Sequence, residues 1–236
     1  MPITNSNIST CFSTLDLSWN YLKKGELVLI CGRPSMGKTS FLINLGRKIS
    51  LNTKVLVVSL ETPFVGLIRK WPYINNSNFK NYLENFEIID NHTFTIDELK
   101  QIILEKNSTV ILIDGIDFLN IQINNFVYDI KKLANDLNVC ILFSIQLGSR
   151  IEQRSIENLR PNKNDLIDRG FITPSLELFE KIVCLYRPYY YNIGMDDITR
   201  HTLEIHTYFQ NTLTPNYVEL YYDDDLINFY EKYEKK

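Results

Sequence analysis

The chain has 236 residues, 44% of them hydrophobic, and carries 28 acidic against 25 basic side chains for a net charge of −3. That length and apolar content suit one large α/β domain, or two small ones, with a full core, and the acidic balance excludes a globally basic nucleic-acid binder, leaving only a local patch for such contacts. No apolar run approaches the ~20 residues needed to span a bilayer, and residues 1–20 lack the basic start and apolar block of a signal peptide.

In chain order, residues 1–10 are polar and read as a flexible start. Phe12, Leu15, Trp19 and Leu22 then recur at steps of three and four, which marks a short amphipathic segment. The apolar run 26–31 predicts a buried strand. Residues 32–39 match G-x-x-x-x-G-K-[ST], with Gly32, Gly37, Lys38 and Thr39 in the fixed places. Phe41, Leu42 and Leu45 follow at helical spacing, so a helix starts inside the motif. Such a turn aims backbone N–H groups inward as a nest for phosphate oxygens, and the first helical turn adds unpaired donors and partial positive charge. Gly32, Arg33, Pro34, Ser35, Met36, Gly37, Lys38, Thr39 and Ser40 are therefore the candidate nucleotide-binding residues, with Lys38 on the β- and γ-phosphates and the Thr39 hydroxyl on Mg²⁺.

Residues 54–60 (KVLVVSL) read as a second buried strand ending on Glu61. The stretch 64–71 looks helical, 75–81 is an Asn-rich loop, and 86–89 is a short strand. Residues 95–106 read as a helix: Thr95 caps it, Glu98 stands three residues on, and Ile96, Leu99 and Ile103 share a face. Residues 109–114 (TVILID) form a third strand, 127–137 a helix and 139–144 a fourth strand. Later strands are read at 181–186, 203–208 and 217–222, the last two as an antiparallel edge because no helix separates them. Buried strands alternating with helices predict one domain spanning 1–236, with an open, mainly parallel sheet covered on both faces. Its ligands belong beyond the carboxyl ends of the strands.

Polar residues stand at those ends. Asp114 closes four apolar residues and suits the acid that holds the Mg²⁺ shell; a strand-end Asp also serves as a turn or helix cap. Glu61 is a candidate base for an attacking water, or a residue that merely starts the next helix. Gln146 is a candidate γ-phosphate sensor, or a surface amide. Cys31, Cys140 and Cys184 lie in apolar runs and Cys11 outside them, none in C-x-x-C spacing. Buried reduced thiols and a cytoplasmic location are the expectation.

Several stretches together resemble the C-terminal motor domain of DnaB-type replicative helicases. They are TCFSTLD at 10–16, GRPSMGKT at 32–39, SLE at 59–61, ILIDGIDFL at 111–119, SIQLGSRIEQR at 144–154 and RPNKNDLIDRG at 160–170. The resemblance covers about 9–190. It implies a RecA-like fold, ATP with Mg²⁺, and a homo-oligomeric ring (a hexamer) with nucleotide between subunits. It also implies Glu61 as base, Asp114 on the metal, Gln146 as sensor, and channel-facing loops at about 117–126 and 148–172. The second loop holds Arg150, Arg154, Arg160, Lys163 and Arg169, interleaved with Glu152, Glu157, Asp165 and Asp168. Arg150, Arg154, Lys163, Arg169 and Gly170 are its candidate DNA-binding residues on single-stranded DNA; a solvated charged loop is the alternative.

The chain departs from the family in three ways. The N-terminal helical domain and linker helix are not recognisable, and 61–114 is short. Where members carry a Lys-x-Arg pair that reaches the neighbour's γ-phosphate, this chain has Tyr208-Phe209-Gln210. Fast hydrolysis is therefore in question, and two functions stay open: an ATP-driven motor on single-stranded DNA, or a nucleotide-binding module that regulates or docks onto another replication protein. A small-molecule P-loop kinase is disfavoured because no arginine-bearing lid is recognisable.

Overall fold

A computed structural model of the chain describes residues 7–63, 66, 84–90, 93–194, 196–210, 212–223 and 228–232. The elements are β1 (Asn7–Ile8), α1 (Ser13–Trp19), β2 (Leu22–Lys23), β3 (Leu27–Gly32), α2 (Lys38–Ile49), β4 (Val55–Ser59), β5 (Phe86–Asp90) and α3 (Ile96–Lys106). They continue with β6 (Val110–Asp114), α4 (Ile123–Leu137), β7 (Cys140–Gln146), α5 (Asn164–Ile167), α6 (Thr173–Leu176), β8 (Lys181–Tyr186), α7 (Asp197–Arg200), β9 (Thr202–Phe209), β10 (Asn216–Tyr222) and β11 (Phe229–Tyr230). Single 3₁₀ turns interrupt the loops, one of them Ile116–Phe118 after β6.

The main sheet has nine strands in the order β11-β10-β9-β8-β3-β7-β6-β4-β5. From β5 to β8 the neighbours run parallel. From β8 to β11 they run antiparallel, so the antiparallel edge begins one strand earlier than the sequence suggests. Both faces are buried, and side-chain alternation divides the core. Leu27, Leu29 and Cys31 point into one layer with α3, α4 and Phe179. Val28 and Ile30 point into the other, with α1, α2, Leu203 and Leu220.

Local chemistry sets the element ends. Thr95 and Glu98 close a reciprocal capping box on α3. The chain start is less loose than expected: residues 1–6 lie outside the described residues, but Ile8 is buried and Asn7–Ile8 pairs with Leu22–Lys23. The buried carboxylate of Asp16 causes this, because it accepts both the main-chain N–H and the hydroxyl of Thr10 at 2.7 Å. The Trp19 indole then donates to Thr207 Oγ1 at 2.8 Å, fixing α1 to β9. The helix read at 64–71 (Gly66 apart) and the Asn-rich loop at 75–81 lie outside the described residues. Cys31, Cys140 and Cys184 are buried free thiols.

Candidate nucleotide-binding site

The strand tips place the chemistry. In register, Gly32 at the end of β3 faces Gln146 at the end of β7, and Ser59 at the end of β4 faces Asp114 at the end of β6. The turn between β3 and α2 starts at Gly32. Ser35 and Gly37 both adopt left-handed backbone, with φ of 64° and 85°. Gly37 is the N-cap residue of α2 and gives it no side-chain cap, and no acid stands in the first turn. The first N–H groups of this twelve-residue helix are left facing the turn, the arrangement that receives an anion.

Lys38 opens α2 and is buried. Burial lowers its pKa from 10.5, against the opposing pull of Glu61, Asp114 and Asp117. Its ammonium donates to the Arg33 carbonyl at 3.3 Å, within the turn itself. Two arginines brace the same turn. Arg33 donates to the Leu147 carbonyl at 2.8 Å and pairs with Glu152 at 2.6 Å. Arg187, just past β8, donates to the Ser35 carbonyl at 2.9 Å and to the Tyr222 hydroxyl at 2.9 Å. Of the other predicted residues here, Met36 and Ser40 are buried, Pro34 and Thr39 half-buried and Ser35 exposed.

Asp114 is 1% exposed, and its Oδ1 accepts the Ser144 hydroxyl at 2.8 Å. Ser144 Oγ in turn accepts the Gly115 N–H at 2.7 Å. Gly115 sits at φ +84°, where a Cβ would meet the Glu61 Cβ at 2.9 Å. Only glycine suits both the backbone and the space. This packing sets the exposed Glu61 against the loop after Asp114, so two carboxylates from neighbouring tips share the space in front of Lys38. Gln146 has an exposed side chain, and its main-chain N–H donates to Asp117 Oδ2 at 2.6 Å. Lys38, Glu61, Asp114 and Gln146 are thus brought to one end of the sheet. The sequence assigns no role to Ser144, Gly115, Asp117 or Arg187, and reads Glu152 only as one of the acids interleaved in the second loop. Asp117, three residues past Asp114 in IDGID, leaves a visible trace.

The donor set fits a magnesium–polyphosphate ligand: the buried cation of Lys38, a bare helix start, the Thr39 hydroxyl in the first turn of α2 and the Asp114 carboxylate at the end of β6. Among the described residues, no group of three His, Cys, Asp or Glu side chains could hold a metal ion.

The charges of the candidate DNA loop are paired within the loop, to β9 and its end, and through Arg169 and Glu152 to the site. Arg150 pairs with Asp168 at 2.5 Å and keeps 74% side-chain exposure. Arg154 pairs with the buried Asp165, and Arg160 makes two bonds to Glu204, at 2.7 and 2.8 Å. Lys163 donates to the carbonyls of Phe209 and Thr212 at 2.9 and 3.0 Å. Arg169 pairs with Asp117. Gly170 (φ +88°) gives its carbonyl to Asn124 Nδ2 at 2.9 Å. The Gln210 amide donates to the Glu177 carbonyl at 2.7 Å.

A parallel sheet carrying this turn, with acids at the adjoining tips, defines a RecA-like P-loop nucleotide-binding domain. The family model "DnaB-like helicase C terminal domain" matches residues 7–231, and the chain belongs to that family. It is 27% identical to a probable replicative DNA helicase of Trieres chinensis, over 79% of this chain and 49% of that one. It is 26% identical to the replicative DNA helicase DnaB of Buchnera aphidicola subsp. Acyrthosiphon pisum, over 81% and 49%. The chain thus spans about half the length of the curated relatives it matches. A solved ATPase domain superposes with a TM-score of 0.78 at 22% identity, covering 96% of this chain and 92% of that one. A DnaB-like replicative helicase, solved to show its interactions with primase, also gives 0.78, at 21% identity over 97% and 64%. Among the described residues, no helix is long and apolar enough to cross a membrane.

Proposed function

We propose that this chain is an ATP-binding and ATP-hydrolysing motor domain that acts on single-stranded DNA in replication, assembled as a ring of like subunits. One observation carries the reading: the turn after β3 leads straight into α2 with Gly37 as N-cap and Lys38 as the first helical residue, and Gln146 and Asp114 end the strands beside it in the same sheet. Bound Mg²⁺–ATP supplies the electrophilic γ-phosphoryl group and much of the neutralising charge. The chain's residues do the rest. The N–H groups of 35–39 and the Lys38 ammonium hold the phosphates. The Thr39 hydroxyl and the Asp114 carboxylate, oriented by Ser144, hold the cation. Glu61 takes the proton of the attacking water, and Gln146 reads the γ-phosphate from the neighbouring tip. In the DNA loop, Arg154 and Lys163 hold the fold together, while Arg150, Arg169 and the Gly170 turn face the strand.

Gln210 favours a second reading. A neutral amide bonded to Glu177 stands where the family carries a charged finger. Such a finger contributes roughly 10³–10⁵ in rate in other phosphoryl-transfer proteins. Without it, the domain binds nucleotide and docks onto a replication protein while hydrolysing slowly. DNA-stimulated ATPase of the chain and of Glu61→Gln separates the two. The motor reading expects hydrolysis that falls roughly 10²–10⁴-fold in Glu61→Gln with nucleotide still bound. Wild-type hydrolysis at background, even at high protein concentration, overturns it in favour of docking.

A further inference from the structure

Asp117 belongs to neither the phosphate-holding set nor the candidate DNA contacts, yet it touches both. It lies in the 3₁₀ turn after β6. Its Oδ2 accepts the main-chain N–H of Gln146 at 2.6 Å. Its Oδ1 accepts the guanidinium of Arg169 from the DNA loop. Its charge is also felt at Lys38, after burial and after Glu61 and Asp114. The contact with Arg169 is partly open to solvent, with side-chain exposures of 19% and 37%. Ion pairs this accessible are weak and exchange partners readily, and a nucleic-acid phosphate is a competing partner of the same charge as a carboxylate.

We propose that Asp117 is a positioning residue: its carboxylate holds Arg169 back until a DNA phosphate competes for the guanidinium, and the exchange is transmitted to the tip of β7 through the Gln146 N–H. The proposal rests on the DNA reading above. With Arg169 gone to the strand, the Asp117 charge is no longer shared, so its bond to the Gln146 N–H and its pull on Lys38 both strengthen. DNA occupancy and the arrangement around a γ-phosphate thereby become linked, and the link is reciprocal.

The test uses the full chain without nucleotide and a labelled oligothymidylate. Asp117→Asn keeps an oxygen for the Gln146 N–H but removes the charge that holds Arg169. It is expected to bind the oligonucleotide up to about fivefold more tightly. The slope of log K against log salt should stay close to that of the wild type, because Arg169 meets the strand in both proteins. The tightening should vanish in Asp117→Asn/Arg169→Ala. Hydrogen exchange at the Gln146 amide should quicken in Asp117→Ala and stay slow in Asp117→Asn. An affinity equal to wild type in Asp117→Asn, or a tightening that survives in the double variant, overturns the proposal alone. A wild-type chain that binds no oligonucleotide at low salt overturns the DNA reading and the proposal together.

Discussion

At the scale of the residue, the site depends on small groups that bear no charge. Asp114 is buried, and a buried carboxylate must be oriented and hydrogen-bonded to be tolerated. Ser144 does this while accepting the Gly115 N–H, so one hydroxyl serves both the Asp114 carboxylate and the turn that backs Glu61. Ser144→Ala leaves the Gly115 N–H without its acceptor and should cost about 1–3 kcal/mol. In a domain of this size that lowers the melting temperature by roughly 2–12 °C, read by a thermal scan. An unchanged transition shows that the hydroxyl supports nothing. Lys38 and Thr39 are picked out in the sequence by the G-x-x-x-x-G-K-[ST] spacing, and Glu61, Asp114 and Gln146 by their places at or just past the ends of apolar runs. Ser144 is not, because a serine inside such a run reads only as a tolerated strand residue. Its partner on the adjacent strand is set by tertiary register.

At the scale of the element, the loop between β7 and β8 is the clearest gap between sequence and structure. Its alternating charges read equally as a DNA surface or a solvated face. The structure shows a third use for several of them. Arg154, Arg160 and Lys163 tie the loop to Asp165, to Glu204 of β9 and to the carbonyls at the end of β9. These partners lie as far as 44 to 49 residues away, beyond the reach of any local pattern. The strands were more legible, since runs such as TVILID leave little choice when both sheet faces are covered.

Glu204 supplies the pH test of this attachment. Burial alone pushes its pKa up, but the hydrogen bonds from His206 and Arg160, with the Arg160 charge, hold it below the ordinary 4.5. A depressed carboxylate contributes stability above its unfolded value and loses that contribution as the pH falls through its folded value. Denaturant melts should therefore show stability dropping as the pH is taken below 4.5. Arg160→Gln should flatten that drop. An equal drop in both proteins removes Glu204 from the account.

At the scale of the whole molecule, the sheet separates labour along its length. The parallel half, β5 to β8, ends in the turn, the acids and Gln146. The antiparallel half, β9 to β11, packs α1 and closes the second core layer. Arg187 joins the halves, reaching Ser35 in the turn and Tyr222 on β10. The family match spans both halves, so the antiparallel extension belongs to the domain and is not an appendage. Its pairing was only partly legible, since β8 alternates and is buried like its parallel neighbours, and nothing local says that the next strand returns beside it.

The central claim is that the turn after β3 grips a triphosphate through Lys38, and titration calorimetry tests it most directly. Mg²⁺–ATP should bind the wild-type chain saturably, and Lys38→Met should bind at least about tenfold more weakly. Lys38→Met should also melt no lower than wild type, because it removes a buried cation whose charge burial already disfavours. No uptake by the wild type, or equal uptake by the two proteins, contradicts the account.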